Sequence, residues 1–85
     1  MITLNGTTRE IALTAIGSMA YALEHLANDL TIHPGDTDAH RAICGYIATE
    51  NAAKDIPVDQ AIGIARAMTK MLWTIPGVEE EWNRE

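Results

Sequence analysis

The longest regular spacing of hydrophobic positions lies between Thr7 and Leu30. Leu13, Ile16, Ala20, Leu23, Ala27 and Leu30 follow one another at intervals of three and four, which keeps them on one side of an α-helix. Ala12, Ala15, Met19, Ala22 and Leu26 form a second stripe beside the first, so the apolar face is broad. A face this wide suits a globular core with partners on two sides better than a narrow two-stranded seam. Glu10, Thr14, Gly17, Tyr21, Glu24 and Asn28 fall on the remaining, mostly polar side. Thr7 with Glu10 three residues later has the spacing of a capping box, in which each side chain satisfies a free backbone N–H. The pattern predicts a first helix over 8–30. Gly17 has two readings: a glycine tolerated on a polar face at a cost of about 1 kcal/mol relative to alanine, or a notch for the close approach of another chain.

The next stretch, Thr31 to Thr37, contains Pro34-Gly35 and reads as a loop, with Asp36 or Thr37 placed to cap the second helix. Ala39, Ala42, Ile43, Tyr46 and Ile47 make one inward stripe of that helix, expected over 38–53, with Lys54 in its last turn. Ile56-Pro57 marks the next boundary, because proline disfavours helix at the residue before it and fits the first helical turn. Val58, Ala61, Ala65, Met68, Leu72 and Ile75, flanked by Ile62, Ile64 and Met71, predict a third helix over 57–73, which Pro76-Gly77 stops. Gly63, Arg66 and Lys70 lie on its outer side. In the tail, Val78 and Trp82 are i, i+4, as are Glu80 and Arg84; this turn is too short to be helical unless it docks. Met1–Leu4 alternates apolar and polar before Asn5-Gly6 and is expected to be an arm packed back on the helices, with a short strand as the other reading. The expected fold is all-α: one domain over 1–85, an up-down-up three-helix bundle with a short N-terminal arm and a short C-terminal turn.

Composition sharpens this picture. Of 85 residues 13 are alanine and none is phenylalanine. Alanine favours helix and lets helices pack closely, yet contributes little buried area per residue. A thin core with broad apolar faces points to association with a second copy. The net charge of −6 and pI near 4.8 argue against duplex nucleic acid or an anionic membrane as partner, since both reward Lys and Arg. Cys44 is the single cysteine, which excludes an intrachain disulfide. Met1–Gly6 has neither the basic start nor the apolar core of a secretory leader, and the expected compartment is the cytoplasm.

The densest polar stretch holds His33, Asp36, Asp38, His40 and Arg41, with Cys44 one turn further on. The spacing matches no zinc signature, and no metal or cofactor is expected. There is no phosphate-cradling glycine loop, no nucleophile elbow and no paired-carboxylate signature, so an enzyme is not expected. His40 and Arg41 at the start of helix 2, and Arg66 and Lys70 on helix 3, are the candidate donors for a small anionic or nucleotide-like ligand at a subunit interface. Gly17, Tyr21, Trp73 and Trp82 are the candidate contact residues, being glycine on a helix face and aromatic types enriched at binding hot spots; equally, the tryptophans would seal the end of the bundle. In size, acidity and lack of a catalytic motif the chain resembles small phage-encoded inhibitor proteins, a resemblance of composition alone. The expected function is a non-enzymatic interaction module, a small acidic homo-oligomer that binds or inhibits another protein.

Overall fold

The computed structural model describes residues 6–47 and 56–84. These form four helices: α1 (Gly6–Ile32), α2 (Thr37–Ile47), α3 (Val58–Trp73) and α4 (Val78–Asn83). Helix accounts for 84% of the described residues, with no strand among them, and the helices pack as a small bundle. The N-terminal arm, the expected last turns of helix 2 with Lys54, and the side chain of Thr7 lie outside the described residues.

The first helix is the element against which every other helix packs. Its 27 residues span about 40 Å at 1.5 Å per residue. Leu13, Ala20, Leu23, Ala27 and Leu30 are buried along one line, as their spacing predicts, with Ile16 half-buried in the same row. The densest packing lies toward its C-terminal end. There Leu23, Ala27 and Leu30 meet Ala39 and Ile43 of α2 and Ala61 and Ala65 of α3. Three of these seven are alanines of α2 and α3, which is how three helices crowd round so few large side chains.

The long pair, α1 and α3, runs antiparallel. Arg66, midway along α3, reaches Thr31 at the end of α1, while Trp73 at the end of α3 stands beside Trp82, which covers Gly17. The short α2 packs on both near the end where α1 finishes and α3 begins. At that end Nε2–H of His40 donates to the carbonyl oxygen of Ile56 at 2.7 Å, tying α2 to the approach to α3. Asp36 caps α2, its Oδ1 accepting the N–H of Ala39 at 3.1 Å.

Several positions depart from the hydrophobic pattern, among them Ile75, placed in the α3 stripe by its spacing but exposed in the turn that follows Trp73. Tyr46, expected inward, is 44% exposed, because the buried line of α2 runs through Ala39, Ile43 and Cys44 and leaves position 46 at its margin. Thr69 is buried in α3, where its hydroxyl donates to the carbonyl of Ala65 at 2.8 Å and so leaves no orphaned polar group. Met71 is 67% exposed, about a third of a turn round from the Ala61–Ala65–Thr69 line.

After α3 the chain turns through Thr74–Gly77. Gly77 has φ of +93°, a conformation that side chains with a Cβ rarely adopt. The tail then forms the six-residue α4, which docks on α1 with Val78 wholly buried. The expected Glu80–Arg84 pair is replaced by Glu81–Arg84, 3.3 Å apart one residue closer in sequence. On an exposed short helix such a pair contributes little.

Candidate functional site

Gly17 is buried, although its neighbours in sequence place it on the polar side of α1. The reason is Trp82: a Cβ at position 17 would lie 3.0 Å from Cε3 of the indole. The close approach that a glycine permits is thus made by the chain's own C-terminal helix. Around this notch the rings form a chain. Trp82 sits at 5.9 Å from Trp73 in an edge-on arrangement and at 5.3 Å from Tyr21, and Tyr21 sits at 4.2 Å from His25 (centroid distances). Gly17, Tyr21, Trp73 and Trp82 are therefore brought together within one chain, sealing the end of the bundle opposite α2. Tyr21 remains 47% exposed.

The four candidate ligand donors do not share a site. His40 is engaged with Ile56, and Arg41 is exposed on α2. Arg66 and Lys70 do come together: with Thr69 they form one wall of a groove of about 230 Å³, whose other wall is Glu24 and Asn28 of α1. Arg66 is oriented by Nη2–H donating to Oγ1 of Thr31 at 2.9 Å, and that hydroxyl in turn donates to the carbonyl of Ala27 at 2.7 Å. A second depression of about 350 Å³ lies between α1 and α4, lined by Glu10, Ile11, Thr14, Glu81 and Arg84.

The last turn of α1 and the cap of α2 together hold a carboxyl pair that the sequence pattern did not single out. Asp29 and Asp36 share a hydrogen bond, which raises Asp29 and, with the backbone N–H groups of Ala39 and Asp38, lowers Asp36. The two carboxyls titrate as a unit, with Asp36 giving up its proton before Asp29. A carboxylate held below its ordinary range stabilises the fold above that range, and this contribution fades only as pH falls through the lowered value. The cap on α2 accordingly persists into mild acid. His33 lies close enough to favour both carboxylates electrostatically. Among the described residues no three His, Cys, Asp or Glu side chains gather as a metal-ligand set, and Cys44 is a buried free thiol. No helix among them is long and apolar enough to cross a membrane.

Part of the broad apolar face expected for helix 1, including Ala15 and Ala22 of its second stripe, is left uncovered by the other described helices. From Ile11 to Leu23 no residue carries a charge, in a chain with eighteen charged residues among 85. One side of that segment faces the core; the other does not. Ile11, Ala15 and Ser18 are exposed and Ala22 is half-exposed, at intervals of four, three and four along the outer face of α1, with Ile11 67% exposed. The signal was present in the sequence as a charge-free run longer than one buried stripe needs.

No protein-family model, curated protein or solved structure matches the chain.

Proposed function

We propose that the protein is a non-enzymatic interaction module that self-associates, and engages helical segments of other proteins, through the outer face of α1. The observation that supports this reading is the uncharged, small-residue strip Ile11–Ala15–Ser18–Ala22. Charge depletion marks the centre of protein interfaces, and small side chains let helix backbones approach closely. Two copies at −6 each repel over most of their surface, so a strip without charge is where a second copy can meet the first with least repulsion. The strip from Ile11 to Ala22, about 18 Å long at 1.5 Å per residue and about 10 Å wide, offers roughly 180 Å² per chain, about a quarter of a standard partner surface, and the association is expected to be weak, in the range of tens to hundreds of micromolar. Sedimentation from about 10 to several hundred micromolar is expected to show a monomer–dimer equilibrium for the wild type. Ala15→Glu, which sets like charges against each other, is expected to shift this equilibrium toward the monomer with unchanged helicity. A wild type that is monomeric throughout this range would overturn the reading.

A second reading, a binder of a small anionic ligand, is favoured by the groove that joins Arg66 and Lys70. The pre-oriented guanidinium suits a carboxylate or phosphate group. A ligand present at about 100 times its Kd would stabilise the fold by roughly 2.7 kcal/mol, so thermal melting with inorganic phosphate and a nucleotide panel is the direct check. An unshifted midpoint with every member, or the same shift in Arg66→Ala, would remove this reading.

A further inference from the structure

Val78 and Trp82 are the side chains by which α4 holds to α1: the first is wholly buried and the second covers Gly17 and stacks on Tyr21 and Trp73. Six residues do not stay helical alone, so the order of α4 comes from the surface it docks against. Charge is matched as well as shape. Arg9 is the single Lys or Arg of α1, and its guanidinium lies beside Gly77 at the start of α4, whose first turn carries Glu79, Glu80 and Glu81. The link from α3 is the short turn Thr74–Gly77. The buried cluster of Leu23, Ala27, Leu30, Ala39, Ile43, Ala61 and Ala65 includes nothing from the groove, the turn or α4. Groove and helix thus amount to a receptor and its ligand joined by a hinge, at the far end from the core that holds the bundle together.

We propose that the groove on α1 formed by Leu13, Gly17 and Tyr21 also receives α4 of a second copy, so that two chains exchange their C-terminal helices. The occupant follows from identity: the contacts made within one chain are available unchanged between two, and a short hinge is the usual place where such exchange begins. The outer strip is centred on Ala15, Ser18 and Ala22, round the helix from the groove, and meets the α4 side at Ile11, which lines the depression with Glu81 and Arg84.

The test is complementation between two full-length variants, both carrying Ala15→Glu so that pairing through the outer face is disfavoured. Trp82→Ala leaves the groove open and supplies no plug; Gly17→Leu fills the notch and leaves its own Trp82 without a seat. Each alone is expected to sediment as a single chain, with the tryptophan emission of Gly17→Leu shifted to the red. Mixed at several hundred micromolar, they are expected to form a 1:1 complex of doubled mass, with emission moved back to the blue beyond the sum of the separate spectra. Adding Val78→Asp to the Gly17→Leu chain is expected to abolish both effects. A mixture that behaves as the sum of its parts overturns the proposal, as does recovery that survives Val78→Asp. Should Gly17→Leu lose helicity by circular dichroism, Gly17→Met provides the same block with a more adaptable side chain.

Discussion

Replacing Leu23 by alanine is expected to unfold a large fraction of the protein at about 37 °C. Leu23 is wholly buried in a cluster with Leu30, Ile43 and four alanines, edged by half-buried side chains that include Met19, Leu26, Ile62 and Met68. Truncation removes its transfer free energy and leaves a cavity, together about 2–5 kcal/mol. Small neighbours worsen the outcome. Alanine side chains have no rotamers with which to fill a void, so relaxation falls to the half-buried side chains at the edge of the cluster and to movement of the helices. A single domain of this size has on the order of 5–10 kcal/mol in total, and losing half of it brings the midpoint close to physiological temperature. Urea unfolding followed by far-ultraviolet circular dichroism measures the loss. A change below about 1 kcal/mol would show that the cluster around Leu23 is not the centre of the fold.

The second large effect is expected from Gly77→Ala, a change that adds one methyl group. The backbone at Gly77 is left-handed, with φ of +93°, and a side chain there costs about 1–2 kcal/mol. The added Cβ would also stand 2.9 Å from Cδ1 of Leu13 and 3.0 Å from Nη2 of Arg9. The arginine head can swing away. Leu13 is buried, so it cannot yield without disturbing its own packing. The sum is about 2–3 kcal/mol, a cost at the upper end of ordinary single substitutions. It should fall on the docking of α4, so tryptophan emission is expected to redden at denaturant concentrations where helicity is intact. Coincident transitions by both probes, at the wild-type midpoint, would refute this.

The helices were legible because the inward side chains recur at helical spacing and because Pro34-Gly35, Pro57 and Pro76-Gly77 punctuate the chain. Asp36 was legible as a cap for the same local reason. Periodicity does not carry which part of the chain covers which face. Gly17 reads as polar from its neighbours, and only the return of residue 82 from the far end of the sequence shows that it is buried. Tyr46 reads as inward because it is apolar at the right interval, while the direction in which α2 presents itself depends on two other helices. Thr69 reads as outward because it is polar, whereas a hydroxyl bonded to its own helix can be buried without cost. Arg66 and Lys70 were marked from their residue types, but their opposing wall, Glu24 and Asn28, comes only from the antiparallel course of α1 and α3.

That same contact between residue 82 and Gly17 has a consequence in time. Joining Gly77 to Leu13 closes a loop of roughly 60 residues, and the entropy of closure is paid before the contact returns anything. The α1–α2 packing, formed between near neighbours in sequence, has no such delay. The end of the bundle that carries the aromatic rings is thus slower to assemble than the α1–α2 pair, and α1 must keep its notch empty until residue 82 has been made.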